Sequence, residues 1–161
     1  MKRQPLMMGL VILGIASLLV SALIVVSSYW RIAINVTPSL PDHVYLIDLK
    51  DTTPERDGLI AFKAQGMPPI PDQVTVVKIV RGLPGDVITV IERAVYVNGR
   101  FAGYAKAKSH TGESLMPITS QMIPEGKVFV HAPHPDSFDS RYAIPGLIDQ
   151  AQVIGRARAL F

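Results

Sequence analysis

The pattern of apolar and polar positions changes character near residue 30. From Leu6 to Trp30 no residue is charged. At 1.5 Å per helical residue, about 20 such residues cross a hydrocarbon core of ~30 Å. The apolar part of a removable signal peptide runs only about 7–15 residues. The longer run therefore predicts an uncleaved transmembrane α-helix within residues 1–30. Beyond it, apolar residues alternate in short β-branched segments separated by dense turn residues, which predicts strands. The segments are 43–47, 58–62, 74–80, 87–91, 94–97, 100–103, 127–130 and 152–155, and 74–80 is the most strongly β-branched. Asn98-Gly99 between two alternating segments predicts a tight hairpin, because both turn positions need positive φ. No helical period of useful length follows the anchor. The expected fold is mainly β, one antiparallel domain over residues 31–161 behind a single N-terminal helix. Residues 63–73 and 105–124 match no element, and long loops in compact domains tend to carry function.

Charge and composition narrow the chemistry. The 161-residue chain has a formal net charge of +3 with its basic residues scattered, a balance suited to a membrane lipid surface and not to nucleic acid. Lys2 and Arg3 ahead of the apolar run favour a cytoplasmic amino terminus, with residues 31–161 on the far side of the membrane and Tyr29 and Trp30 in the interfacial belt. Cysteine is absent, which excludes disulfides, thiolate metal sites and cysteine nucleophiles. His43, His110, His131 and His134 lack metal-binding spacing and are expected in surface loops. The Gly82–Gly85 turn lacks the Gly-Lys-Ser/Thr end of a phosphate loop. No metal and no cofactor are expected.

Three features carry candidate chemistry. Lys78 interrupts the β-branched run of 74–80 at its centre. Burial on both faces would disfavour its charge and leave a neutral amine, whereas a strand-edge lysine would lie along apolar surface and keep its head in water. Ser39 lies between Pro38 and Pro41, whose fixed φ angles predict a stiff, extended backbone: either a pre-positioned serine or a rigid linker leaving the anchor. Residues 136–142 crowd Ser137, Asp139 and Arg141 after a Pro-His-Pro turn. Alone this reads as a loop closed by an Asp139–Arg141 or Asp139–backbone contact.

Taken in order, the segment around Thr37 and Ser39, the strand 58–62, Lys78 followed by Gly82-Leu83-Pro84-Gly85-Asp86, and Asp139-Ser140-Arg141-Tyr142 resemble the successive conserved boxes of the bacterial type I signal peptidase family. The resemblance implies an antiparallel β catalytic domain, with Ser39 as nucleophile and Lys78 as general base. It also implies Thr37 as an oxyanion donor, Ser137 as the lysine's hydrogen-bond partner, and Asp139 with Arg141 as the ordered floor. Leu40 after the serine, Ile79 after the lysine, His131-Ala132-Pro133-His134 before the last box, and the lack of a second span and large inserted domain are more similar to the TraF-type branch. That branch matures a conjugative pilin precursor by removing a carboxyl-terminal peptide, in some members joining the new end to the pilin's amino terminus. The implied setting is the periplasmic face of the bacterial inner (cytoplasmic) membrane, with pilin precursor or another exported preprotein as substrate, conjugation machinery nearby, and the 105–124 loop as a grip on the pilin. A general signal peptidase that removes N-terminal signals, and an inactive membrane-anchored scaffold of a pilus or secretion complex, are the alternative functions.

Overall fold

The computed structural model of the protein describes residues 3–161; Met1 and Lys2, on which the expected orientation partly rests, lie outside the described residues. Helix α1 (Arg3–Tyr29) contains a stretch, Met7–Tyr29, long and apolar enough to cross a membrane, and it stays exposed, touching the strands only at its Tyr29 end. The chain then enters strand β1 (Trp30–Ile34) with no intervening linker, and Tyr29 O accepts a hydrogen bond from Leu49 N at 2.9 Å.

The strands that follow are β2 (Val44–Asp48), β3 (Leu59–Lys63), β4 (Thr75–Gly82), β5 (Val87–Ile91), β6 (Ala94–Val97), β7 (Arg100–Tyr104), β8 (Gln121–Met122), β9 (Lys127–His131), β10 (Ile148–Asp149) and β11 (Val153–Ala159). They form a seven-stranded sheet ordered β1-β2-β11-β3-β4-β9-β10 and a four-stranded sheet ordered β7-β6-β5-β8. Every pairing is antiparallel. Thus the fold is mainly antiparallel β behind one apolar N-terminal helix, as the alternation implies. The Asn98-Gly99 hairpin takes φ of 48° and 74°, the doubly left-handed turn its residues favour.

Three strands lie outside the expected set. β8 and β10 are two residues each, too short to show a period, and β1 continues an apolar run whose helical part masks it. β11 is longer than its expected segment and inserts between β2 and β3, so the last strand joins the two parts of the sheet. Val74, expected in the strand that follows it, is instead exposed just before β4.

Period-two geometry assigns the cores. Ile60, Phe62, Val80, Val128 and Val130 fill one side of the large sheet, and Tyr45, Ile47, Ala61, Ala132 and Leu40 the other. Ile88, Val95, Val97, Phe129 and Tyr142 pack beneath the small sheet, and Phe138 touches both this cluster and the first. Two glycines permit the closest approaches. A Cβ on Gly82 would meet Ile123 Cδ1 at 2.5 Å, where the sheets adjoin, and one on Gly155 would meet Asp48 O at 2.2 Å beside the register shift of β11 against β3.

Backbone oxygen cannot swing aside as a side chain can, so Gly155→Ala is expected to destabilise the protein by roughly 1–3 kcal/mol. Chemical unfolding of the detergent-solubilised protein measures this; an unchanged midpoint would contradict the packing described.

Candidate active site

Ser39 sits in a turn organised by one asparagine. Asn35 Nδ2 donates to Leu40 O at 3.2 Å and Asp42 O at 3.1 Å, while its Oδ1 accepts from Thr37 N at 3.2 Å and Thr37 Oγ1 at 3.1 Å. Thr37 Oγ1 lies 3.0 Å from Ser39 Oγ. An amide oxygen only accepts, so the Thr37 hydroxyl proton is committed to Asn35, and Ser39 is the donor to Thr37 when both contacts are made. The two prolines were expected to hold this backbone extended. Instead residues 37–41 bend, because Asn35 draws carbonyls and amides from both sides of the serine onto one side chain. Asn35 had no assigned role in the sequence; its signal was an Asn two residues before a Thr, the spacing of an Asx turn. Leu40 anchors the turn, buried against the Ala61 and Ala132 side of the large sheet near Val77 and Ile79.

Lys78 is 5% exposed on β4, directly opposite Ile60 of β3, and shares the Ile60 and Val80 face. It is therefore a buried lysine and not a snorkelling one. Its Nζ donates to Ser137 Oγ at 2.7 Å. Burial pushes the amine's pKa down from 10.5 to about 8; the Asp139 carboxylate pulls it back up and the Arg141 guanidinium lowers it further. β9 pairs with β4 only from Ile79 onward, so Thr75–Lys78 is paired on its β3 side alone.

Ser137 is held by the segment that follows it. Asp139 and Arg141, 0% and 2% exposed, form a two-pronged ion pair, Arg141 Nε to Oδ1 at 2.8 Å and Nη2 to Oδ2 at 3.0 Å. Asp139 Oδ2 also accepts from Ala132 N at 3.1 Å, which ties the pair to the end of β9. Arg141 Nη2 donates to Ser137 O at 2.9 Å and to His134 O at 3.2 Å. Ser140 bonds Val130 through both its hydroxyl and its backbone N–H, each at 3.0 Å. Both contacts considered for this loop, Asp139–Arg141 and Asp139–backbone, are present. Gly103, at φ +132°, leaves room for Arg141, whose Nη1 would lie 3.0 Å from a Cβ there.

The predicted residues thus form three joined groups: Lys78 with Ser137, Asp139 with Arg141, and Thr37 with Ser39. Among the described residues no hydrogen bond joins Ser39 to Lys78. His131 corrects an expectation. It is buried on β9 opposite Ile79, not in a surface loop, and burial lowers its pKa to about 4, so it is neutral at physiological pH. Its Nδ1 is buried with no hydrogen-bond partner. The Val128–Val130 run that precedes it extends one residue further than its own apolar pattern.

Comparison with known proteins matches residues 4–161 to the family described as signal peptidase, peptidase S26. The conjugal transfer protein TraF of Agrobacterium fabrum (strain C58) is 26% identical over 167 residues, spanning 92% of this chain and 93% of that protein. A crystal structure of a signal peptidase I from Enterococcus faecalis is 28% identical, with a TM-score of 0.43, and covers 65% of this chain and 96% of that one. With a family match that takes in the serine turn, the lysine strand and the 137–141 segment together, the chain belongs to the signal peptidase family, peptidase S26.

Proposed function

We propose that the protein is a membrane-anchored serine endopeptidase in which Ser39 is the nucleophile and Lys78 the general base. The observation that carries this reading is the buried Lys78 amine, held by Ser137 with its pKa lowered to about 8. A neutral amine keeps a lone pair, so with one N–H directed to Ser137 it can take the Ser39 proton. Attack of Oγ on the scissile carbonyl forms a tetrahedral oxyanion. Lys78 then gives the proton to the leaving nitrogen, and an acyl-enzyme and a free amine result. Water next adds with Lys78 again as base, which releases the carboxylate and restores the serine. The Ser39 N–H makes none of the hydrogen bonds found among the described residues and is the first donor for the oxyanion; Thr37 joins it by releasing Asn35. The Ser39–Lys78 contact is completed in the substrate complex, since catalytic hydrogen bonds commonly tighten there.

The half-paired stretch Thr75–Lys78 supports a peptide substrate. An extended chain added along that edge would pair its backbone with β4 and deliver its carbonyl toward Lys78. The helix that runs into β1 without a linker supports action at a membrane surface. We place the anchor in the bacterial inner membrane as a single pass, with residues 31–161 as the periplasmic catalytic domain. The TraF relative supports a conjugation-related role, with pilin precursor as the substrate. If the acyl-enzyme is shielded from water while the pilin's own amine is held close, effective concentration favours ring closure over hydrolysis. Product mass separates the two outcomes, a cyclic product being lighter by one water.

Ser39→Ala, Lys78→Ala and Lys78→Arg are each expected to lower pilin-precursor cleavage by roughly 10³-fold or more while the protein stays folded. Product quantified by mass spectrometry checks this, and near-normal cleavage by any of the three contradicts the dyad.

The active species is the neutral amine, so kcat/KM is expected to rise about tenfold per pH unit below pH 8 and to level off above it. A profile flat from pH 6 to 9, within about a factor of two, would contradict a lysine base.

The same shift has a stability consequence. Lys78 titrates near 8 folded against 10.5 unfolded, so between those values the unfolded chain binds more protons, and stability rises with pH. Below pH 8 the full cost of burying the charge is present. Lys78→Met is therefore expected to stabilise the protein at pH 7, by on the order of 1–3 kcal/mol, with the gain shrinking as pH rises from 8 to 10. Unfolding curves at several pH values test it; a gain independent of pH would contradict the shifted lysine.

A further inference from the structure

A cavity of about 760 Å³ opens beside the Lys78–Ser137 pair, lined by Ser137, Phe138, Tyr142, Met116, Ile144 and Pro69 among others. Its size falls within the range of about 300–1,000 Å³ typical of sites that enclose a ligand. Phe138 and Tyr142 stack along it, ring centroids 5.9 Å apart. Met116 and Ile144 leave 68% and 54% of their surface exposed, apolar area that the fold itself does not cover. The 105–124 loop that supplies Met116 is fastened to the segment holding Lys78. Ala143 N donates to Met116 O at 2.9 Å, and Ile118 N donates to Arg141 O at 2.9 Å. The groove thus reaches Ser137, the serine that accepts the Lys78 hydrogen bond.

We infer that this groove binds the substrate segment on the carboxyl side of the scissile bond, through apolar side chains of that segment. The inference rests on the Ser39/Lys78 reading and deepens it. A single lysine must serve two partners in turn, the serine hydroxyl and the leaving nitrogen, so the leaving nitrogen lies within hydrogen-bond reach of Nζ. The upstream half of the substrate has its own place, the open edge of β4 at Thr75–Lys78. The downstream half therefore departs from the Lys78 amine past Ser137, and the groove starts there. By microscopic reversibility, an amine that intercepts the acyl-enzyme approaches the carbonyl along the path by which the first amine left. The groove accordingly receives the leaving peptide and then any acceptor amine.

The test places a photo-crosslinking p-benzoylphenylalanine at Met116 or at Ile144 in full-length, membrane-embedded Ser39→Ala protein, so that bound pilin precursor is not turned over. Met122, exposed on β8 of the small sheet, serves as the control position. Crosslinked residues are mapped by mass spectrometry against the cleavage site defined by the product of the unsubstituted enzyme. Crosslinks at Met116 and Ile144 to residues on the carboxyl side of that site, and none from Met122, are expected. Crosslinks confined to the amino side, or none from either groove position, overturn the assignment. In the active enzyme, Met116→Ala with Ile144→Ala is expected to lower kcat/KM for the precursor about tenfold, the loss corresponding to one partly buried apolar side chain. Precursor cleavage that persists undiminished in Ser39→Ala would instead overturn the peptidase reading, a result separate from where the crosslinks fall.

Discussion

The contact between the Lys78 amine and the Ser137 hydroxyl is the point on which the remaining structure converges. A lysine at the centre of a sheet is costly to keep charged, and at about pKa 8 it gives up its proton readily near neutral pH. The amine still needs a hydrogen-bond partner at one position and an open lone pair at another. Ser137 supplies the first, because its backbone carbonyl is gripped by Arg141, which is locked by Asp139, which in turn accepts from Ala132 N at the end of β9. Asp139 also keeps a negative charge near the lysine, which limits how far burial lowers the pKa. The ion pair thus positions the serine and tunes the amine at once.

The same economy places Ser39. The turn that carries it is closed by Asn35 and seated by Leu40 against the Ala61 and Ala132 side of the large sheet, whereas Lys78 shares the Ile60 and Val80 face. This separation explains how Ser39 rests on Thr37 while Lys78 rests on Ser137. β9 ends opposite Ile79, so the Thr75–Lys78 edge of β4 has no β9 partner. The hydrophobic helix and the first strand share one continuous segment, so the anchor leads directly into the edge of the large sheet.

Much of this was legible in the residues. The uncharged run to Trp30, the β-branched strand around Lys78 and the Asn98-Gly99 turn each follow from a local rule that the tertiary structure does not override. Two-residue strands such as β8 and β10 are not legible in this way, because they exist only through pairing with distant segments. The bend at Ser39 does not follow from its prolines, because proline limits φ but does not choose the turn; Asn35 does, through hydrogen bonds that cross the serine. The burial of His131 is not legible either, because a histidine after an apolar run carries no sign of its depth. Its burial comes from β4 on one side and from the Asp139–Arg141 segment behind it. The candidate residues themselves were legible only as a set in order, since no one of Ser39, Lys78 or Asp139 is unusual alone.

If the buried amine is the engine of this protein, its titration is the quantity to observe directly. In protein carrying 13C- and 15N-labelled lysine, with the Lys78 signal assigned by substitution, the side-chain resonance is expected to titrate with a midpoint near 8. A midpoint near the ordinary 10.5 would mean an amine that stays charged at neutral pH, and the account of the site would be wrong.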